Sequence, residues 1–229
     1  MNFWSIIYDL SEGFGITLKL FALTLVIAIP LGLLFAFCSM SKFKPLSYLM
    51  KVIIWVMRGT PLLLQCIVVT FIPSVVFGIS NKDFAAALHI DTMANLQFLF
   101  VLIAFSLNYA CYFAVIIEGG IKSIPKGQYE AGKVLGLNKR QIFWRIIIMQ
   151  VIRRITAPMS NEIITLVKDT ALARALGIVE IISVAYAKVN KYVILTPLLY
   201  SAVFYLLFSG LLTLLFHLLE KKLSYYQVT

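Results

Sequence analysis

Four uncharged stretches, each long enough to cross a lipid bilayer, constrain the fold of this chain more than any other feature. They run from Leu20 to Ser41, from Gly59 to Asn81, from Thr92 to Ile117 and from Tyr192 to Leu219. A helix needs about 20 apolar residues to cross the hydrocarbon layer. With 61% hydrophobic residues, 13% charged residues and a mean hydropathy of +0.94, the chain is too apolar for a soluble domain of 229 residues. We therefore predict an all-α integral membrane protein.

The distribution of positive charge indicates a fifth span. The run from Ile155 to Val167 is short and contains Glu162, so hydropathy alone does not predict it. Basic residues cluster between the first two runs, after the third run and at the end of the chain, at Lys42, Lys44, Lys51, Arg58, Lys122, Lys126, Lys133, Lys139, Arg140, Arg145, Arg153, Arg154, Lys221 and Lys222. If every cluster faces the cytoplasm, an even number of crossings separates the second cluster from the third, which requires this span. The prediction is five spans, at about residues 16–40, 50–80, 93–118, 152–168 and 193–219, with the amino terminus outside and the carboxyl terminus inside.

Several classes of function are excluded by the same residues. The net charge of +10 comes without an interleaved basic and aromatic patch, so it indicates the cytoplasmic side of a membrane protein and not nucleic-acid binding. The three cysteines lie in apolar runs without C-x-x-C spacing, and His89 has no second ligand at metal spacing, so we predict no metal site. Gly127 to Val134 reads G-x-x-x-x-G-K-V but lacks the Ser or Thr of a phosphate-binding loop. Without an H-E-x-x-H or G-x-S-x-G motif, we predict neither catalysis nor a cofactor in this chain.

The stretch from Ser123 to Met149 is charged and contains glycine, unlike the apolar spans around it. A proline suited to the first helical turn predicts a helix from about Pro125 to Leu137, and Asn138 is expected to end it in a left-handed conformation. Since a glycine costs a helix about 1 kcal/mol relative to alanine, we expect a glycine notch here to admit a partner protein. A connector that rests on lipid headgroups is the alternative. The residues that share the glycine face of this helix are Tyr129, Gly132, Lys133 and Gly136.

Four motifs in this chain resemble those of one transporter family. The sequence E-A-G-x-x-x-G, from Glu130 to Gly136, is similar to the EAA loop of ABC importer permeases. The polar amino acid branch of these permeases, which includes histidine, glutamine and cystine permeases, has motifs similar to three further stretches. These are R-G-T-P-L-L-L-Q from Arg58 to Gln65, S-L-N-Y-A-C-Y-F-A from Ser106 to Ala114 and N-E-I-I-T-L-V-K-D-T-A-L from Asn161 to Leu172. The motifs occur in the expected order over nearly the whole chain.

The resemblance implies a type I ABC importer permease, with residues 1–229 as one transmembrane domain and residues 123–149 as the coupling loop. It also implies a set of partners: a second permease copy or a paralogue, two ATP-binding subunits that hold ATP and Mg, and an extracytoplasmic solute-binding protein. The implied location is a prokaryotic cytoplasmic (inner) membrane, and the implied substrate is a polar amino acid. The residues that would contact the ATPase are Tyr129, Glu130, Ala131, Gly132 and Gly136.

The chain departs from the family pattern at four positions. Gly132 stands where the branch usually has a second alanine, and Met149 stands where it usually has proline. We expect these two changes to leave docking intact. Val115 and Glu118 stand where a glutamate and then an arginine are usual, which bears on ligand binding in the cytoplasmic half of the third span. Because one acid is missing, we favour a neutral or polar substrate such as glutamine or cystine over a dibasic one.

Polar side chains within the predicted spans are the candidate substrate path, because such groups are costly in a bilayer and face a bundle interior or a wet cavity. Acids among them can receive an ammonium group, and the uncharged residues can donate to a carboxylate. Hydrogen bonding between helices is the alternative reading. A local ion pair between Lys168 and Asp169 is also predicted. The path candidates are Asn108, Asn161, Glu162, Thr165, Asp169 and Thr170. In the second span we expect Pro61 to bend the helix, either as an ordinary proline kink or as part of a hinge near the path. The candidate hinge consists of Arg58, Gly59, Thr60 and Pro61.

A different class of function fits the same spans. An ATP-independent channel or facilitator could use the helix that bears Gly132 and Gly136 for dimerisation. Such a protein would need no ATPase. Co-purification of an ATP-binding subunit therefore distinguishes the two classes.

Overall fold

The computed structural model describes residues 3–224, and this part of the chain is helical without any strand. A π-helical segment covers Phe143–Ile147, and a 3-10 segment covers Thr170–Leu176. The α-helices of the described chain are α1 (Phe3–Ser39), α2 (Lys44–Gly59), α3 (Leu62–Phe77), α4 (Asn81–Ala87), α5 (Met93–Lys122), α6 (Lys126–Val134), α7 (Lys139–Ile142), α8 (Ile148–Asp169), α9 (Ile181–Tyr192) and α10 (Thr196–Ser224). The predicted all-α class is confirmed.

Helix α5 forms the centre of the bundle. Its side chains Tyr109 and Phe113 are at most 2% exposed, and α1 makes the most extensive contact with it. Gly32 of α1 permits this contact, because a Cβ atom there would lie 2.7 Å from Phe113 Cβ and 3.0 Å from the carbonyl oxygen of Ala110. Helices α2, α3 and α8 also pack against α5. Asn108 and Tyr109 of the candidate path therefore lie where several helices meet.

Three unbroken helices, α1, α5 and α10, are long and apolar enough to cross a membrane. Two bent pairs of helices bring the number of spans among residues 3–224 to as many as five. One pair is α2 with α3, bent by 113°, and the other is Lys139–Leu176 with α9, bent by 55°. The predicted five spans correspond to this arrangement when each bent pair is one span.

The second span was predicted over residues 50–80 with a bend at Pro61, and the structure has a complete break at that point instead of a kink in one helix. Helix α2 ends at Gly59 and α3 begins at Leu62. Between them Thr60 and Pro61 are extended, with ψ angles of 147° and 135°. Proline has no N–H to donate and disfavours helical backbone at the residue before it. The candidate hinge is therefore a complete break between two helices.

The remaining spans are longer than their uncharged cores suggest. Helix α1 begins at residue 3 instead of residue 16, and an ion pair between Asp9 of α1 and Lys188 of α9 joins its first turns to the bundle. Helices α5 and α10 continue past residues 118 and 219, and α8 covers Ile148–Asp169 instead of 152–168. Charged residues occur in the added turns of α1, α5 and α10, which is why uncharged runs alone understate these helices.

Candidate functional site

Helix α6 of the coupling loop is shorter than predicted and ends differently. It covers Lys126–Val134, with Pro125 at the position before its first turn. Gly136 lies beyond the end with a φ angle of +72°, so glycine supplies the left-handed residue that was assigned to Asn138. Asn138 instead begins α7: its side chain accepts from the Gln141 N–H, and the Gln141 side chain accepts from the Asn138 N–H. Gly136 therefore does not share a helix face with Gly132.

The predicted notch on α6 is filled from within the same loop. Gly132 is buried, and a Cβ atom there would lie 2.7 Å from Ile142 Cγ1 and 3.3 Å from Ile146 Cδ1. Tyr129 packs against the same apolar cluster. The glycine is needed because the second half of the loop presses against α6. The glycine notch is therefore closed within the single chain, and a contact of Tyr129 and Gly132 with an ATPase stays a prediction.

The opposite side of α6 is exposed and carries apolar side chains. Val134 is 88% exposed and Leu135 is 75% exposed, and both lie among charged residues of a loop outside the spans. Glu130 and Ala131 are exposed as well. We call Glu130, Ala131, Val134 and Leu135 the α6 outer face. Large apolar side chains this exposed, surrounded by polar residues, are typical of a protein-binding surface.

At the break in the second span, an amide network replaces the hydrogen bond that Pro61 cannot make. The Met57 carbonyl would accept from residue 61 in a continuous helix. It accepts instead from Asn108 Nδ2 at 3.1 Å and from Gln65 Nε2 at 2.7 Å. Asn108 Nδ2 also donates to Gln65 Oε1 at 2.9 Å, and Gln65 Nε2 donates to Thr60 Oγ1 at 2.8 Å. Asn108 thus joins α5 to the break through the NH₂ group of its amide, which leaves the amide oxygen as an acceptor.

Gln65 was missed in the sequence, although it belongs to the R-G-T-P-L-L-L-Q motif. It is 8% exposed and contacts both sides of the break. A glutamine four residues after a proline, within an apolar run, was the available signal. Its two-sided amide can supply one donor group to the unpaired carbonyls and one acceptor to Asn108.

Arg58 of the candidate hinge lies near Glu162 of the candidate path. Arg58 is exposed at the end of α2, and its guanidinium lies 5.1 Å from the centre of the Tyr112 ring. Glu162 of α8 is half-buried and has no hydrogen bond or ion pair among residues 3–224. The charge of Arg58 nevertheless acts on the Glu162 carboxylate. The break in the second span therefore places a cation near an acid of α8.

Asp169 and Thr170, at the end of α8, contact the bundle interior. Tyr109 donates its hydroxyl to Asp169 Oδ2 at 2.7 Å. The predicted ion pair between Lys168 and Asp169 is wrong, because the described residues form no such pair. Thr170 is fully buried and donates to the Val167 carbonyl at 2.6 Å. Asp169 is therefore held by α5, and Thr170 does not face a path.

A polar stripe remains exposed along α8. Asn161, Thr165 and Lys168 recur at helical spacing and are all exposed in the single chain. Thr165 donates to the carbonyl of Asn161 at 2.9 Å, so this hydrogen bond lies within α8 and does not join α8 to another helix. Exposure of such a stripe to hydrocarbon is unfavourable, so a membrane-spanning α8 requires either water or a second protein against it.

One buried acid outside the predicted site is also organised by the structure. Glu180 is fully buried and begins α9, where it accepts from the N–H groups of Ile182 and Ser183 at 2.8 Å each. Tyr205 of α10 approaches Glu180 Oε2 at 3.4 Å. The carboxylate thus caps a helix and joins it to α10. A second acid, Glu118 in the last turns of α5, accepts hydrogen bonds from Ser39 Oγ at 2.5 Å and from Lys122.

Residues 3–224 contain no group of three or more His, Cys, Asp or Glu side chains placed to hold a metal ion. The helical bundle, its internal polar groups and an exposed helical loop together define an integral membrane protein of the permease class. A family model described as the binding-protein-dependent transport system inner membrane component matches residues 28–225. The chain belongs to this family of transport permease subunits.

Named relatives are similar over nearly their whole lengths. The L-cystine transport system permease protein TcyB of Bacillus subtilis is 33% identical over 98% of this chain and 89% of its own. The arginine transport system permease protein ArtQ of the same organism is 32% identical over 93% of this chain and 91% of its own. A putative glutamine transport system permease protein GlnP of Rickettsia conorii is 29% identical over 97% and 96%.

Solved structures share the fold. A crystal structure of an amino acid ABC transporter with histidines has a TM-score of 0.78 and 26% identity, over 97% of this chain and 99% of that one. An inward-facing MetNI methionine ABC transporter has a TM-score of 0.67 at 17% identity, over 97% and 99%, and so shows the fold alone. The predicted resemblance and the type I importer fold are confirmed.

Proposed function

We propose that this chain is the membrane-spanning permease subunit of an ATP-driven importer for polar amino acids. The observation that carries the proposal is the exposed polar stripe of Asn161, Thr165 and Lys168 on α8, together with the unpaired Glu162 beside it. A second permease copy, or a paralogue, placed against α8 would enclose these groups in a shared polar path. The relatives named for cystine, arginine and glutamine transport support an amino acid as the substrate.

The candidate path offers both charges that an amino acid zwitterion requires. Arg58 can donate to the substrate carboxylate, and Glu162 can accept from the ammonium group. Asn161 and Thr165 supply uncharged polar groups on the same helix. Asp169 accepts a hydrogen bond from Tyr109, so of the two acids on α8 Glu162 is the one without a hydrogen bond or an ion pair among residues 3–224. A single opposed pair of charges favours a neutral or polar amino acid, such as glutamine or cystine, over a dibasic one.

Coupling to ATP is assigned to the α6 outer face. Val134 and Leu135 would insert into a groove on an ATP-binding subunit, and two such subunits would bind ATP and Mg and drive the cycle. Tyr129, Gly132 and Gly136 would act indirectly, because they shape the loop that presents this face. An extracytoplasmic solute-binding protein would deliver the substrate. The chain itself would catalyse no reaction.

An ATP-independent facilitator that dimerises through Gly132 and Gly136 is not favoured. Gly132 is covered by Ile142 of its own chain, and Gly136 is a turn residue beyond the helix. Neither of these two glycines therefore offers an open face of α6 to a second copy. Membership of a binding-protein-dependent family also favours the importer.

The importer is tested by assembly and activity. Tagged permease expressed with candidate ATP-binding subunits should retain them through purification in detergent. In proteoliposomes with the cognate binding protein, ATP hydrolysis should rise when a polar amino acid is added, and uptake should require ATP. A permease that purifies alone and carries the amino acid down its gradient without ATP would establish the facilitator instead.

The orientation is tested by labelling single cysteines in a variant that lacks Cys38, Cys66 and Cys111. A membrane-impermeant maleimide added to intact cells should reach cysteines placed at Asp83 and at Lys191, in the connections proposed to lie outside. It should reach cysteines at Lys44 and Lys139 only after the cells are opened. Labelling at Lys139 in intact cells would place the coupling loop outside and contradict the proposed orientation.

A further inference from the structure

An open groove on the second half of the coupling loop, separate from the α6 outer face, has no role in the function proposed above. Its volume is about 350 Å³, and it lies around α7 and the start of the π-helical segment. The residues that line it are Asn138, Arg140, Gln141, Trp144 and Arg145. We define this set as the α7 groove.

The α7 groove is lined by hydrogen-bond donors. Within residues 3–224 the guanidinium groups of Arg140 and Arg145 have no ion-pair or hydrogen-bond partner. The capping box uses the side-chain oxygens of Asn138 and Gln141 as acceptors, which leaves the NH₂ group of each amide free to donate. The Trp144 indole has only a donor to offer. A site with this lining is suited to an oxyanion.

Local charge favours the same ligand. No Asp or Glu occurs between Glu130 and Glu162, although this interval contains six Lys and Arg residues. The two arginines of the groove therefore have no acidic neighbour in sequence to neutralise them. A phosphate group could accept from either guanidinium, because Arg presents several fixed N–H groups to an oxyanion.

The helix that leaves the groove carries exposed apolar side chains along its first turns. Trp144 is 60% exposed, and beyond it Met149 is 47% exposed and Ile152 is 38% exposed. Tryptophan is common at the level of lipid headgroups, where one side of the ring is apolar and the other is wet. Donors at one end and apolar side chains at the other match a phospholipid, whose phosphate is joined to acyl chains.

We propose that the α7 groove binds the phosphate headgroup of an anionic phospholipid from the cytoplasmic leaflet, with an acyl chain along Met149 and Ile152. The site would anchor the coupling loop at the membrane surface on the side away from the proposed ATPase contact. The proposal rests on the topology of the proposed function, which puts residues 123–149 at the cytoplasmic surface.

The direct test measures quenching of Trp144 fluorescence by brominated lipid. Trp4 and Trp55, both exposed, are replaced by phenylalanine in the full chain, so that Trp144 is the only tryptophan. The protein is reconstituted into vesicles with equal mole fractions of brominated phosphatidylglycerol or brominated phosphatidylcholine. Because two arginines would lie near the anionic headgroup, we expect the relative binding constant obtained from quenching to be on the order of tenfold higher for phosphatidylglycerol than for phosphatidylcholine.

Variants that remove equal charge at two different places show which residues cause the preference for phosphatidylglycerol. R140Q/R145Q should abolish it, whereas K42Q/K44Q, which removes the same charge from the connection after α1 and from the first residue of α2, should retain it. Equal quenching by the two lipids in the parent protein would overturn the proposal, as would a preference that survives R140Q/R145Q.

Competition identifies the source of the oxyanion. Inorganic phosphate at constant ionic strength should leave quenching by brominated phosphatidylglycerol unchanged, and so should assembly with the ATP-binding subunits. Loss of quenching with inorganic phosphate would assign the groove to a soluble anion, and loss on assembly would assign it to the ATPase. Either result overturns lipid binding while the importer function stands, because that function is tested separately by assembly and uptake.

Discussion

Replacement of Val134 by aspartate is expected to reduce ATP-driven uptake by at least about tenfold, because a carboxylate would have to be buried in an apolar contact with the ATPase. Val134 is 88% exposed in the single chain, so the substitution removes no internal packing. The permease should still insert and fold. Uptake and ATP hydrolysis are measured in proteoliposomes, and bound ATP-binding subunit is measured after purification.

Val134→Ile is the control, because it keeps an apolar, β-branched side chain at the same position. It should retain both assembly and uptake. Normal uptake by Val134→Asp would remove the α6 outer face from the ATPase contact. Poor expression of Val134→Asp alone, with Val134→Ile normal, would show that this residue is buried within the permease, against the observed exposure.

A glycine variant in the same loop would answer a different question. Gly136→Leu would place a branched side chain at a φ angle of +72°, which strains the turn whatever the surface contacts. A side chain at Gly132 would collide with Ile142. Loss of transport in either variant would therefore report the shape of the loop, whereas Val134 reports its outer surface.

The sequence predicted those features of the fold that depend on whether a residue lies in water or in lipid. Uncharged runs located the cores of the spans, and the basic clusters indicated a weak fourth span, in a region where the structure has α8 as part of a bent pair of helices. These features follow from the cost of charge in hydrocarbon and do not require knowledge of which helices touch. The order of the four motifs added the family, which the matching family model confirms.

Contacts within the chain were not predictable in the same way. A helical face with glycine is equally suited to an external partner and to another part of the same loop, and only the position of Ile142 decides between them. Pro61 indicated a disturbance of the second span. Whether the helix bends or breaks there depends on which side chains form hydrogen bonds with the backbone groups that the proline leaves unpaired. Here Gln65 and Asn108, from 43 positions apart in sequence, supply the missing donors.

This distinction separates two residues that the sequence placed together in the candidate substrate path. Asn108 is 4% exposed and bonded to Met57 and Gln65, so its role is to hold the break. Glu162 is half-buried without a hydrogen bond or an ion pair in the described chain, and lies within range of the charge of Arg58. Substitution of Asn108 should therefore lower the stability of the permease, whereas substitution of Glu162 should lower the rate of uptake.

Asn108→Ala is expected to destabilise the permease by about 1–3 kcal/mol, because it removes one donor to the Met57 carbonyl and leaves the oxygen of Gln65 unpaired.

Glu162→Gln keeps the shape of the side chain and removes its charge. If Glu162 receives the ammonium group of the substrate, its loss should slow uptake on the order of tenfold at unchanged thermal stability. Uptake per assembled transporter and thermal unfolding in detergent are measured for both variants and for Thr165→Val, which probes the neighbouring stripe without a change of charge. A Glu162→Gln permease that transports normally would show that this acid is a packing group, and the path would then have to be sought on the second subunit. An Asn108→Ala permease of normal stability would show that Gln65 alone sustains the break.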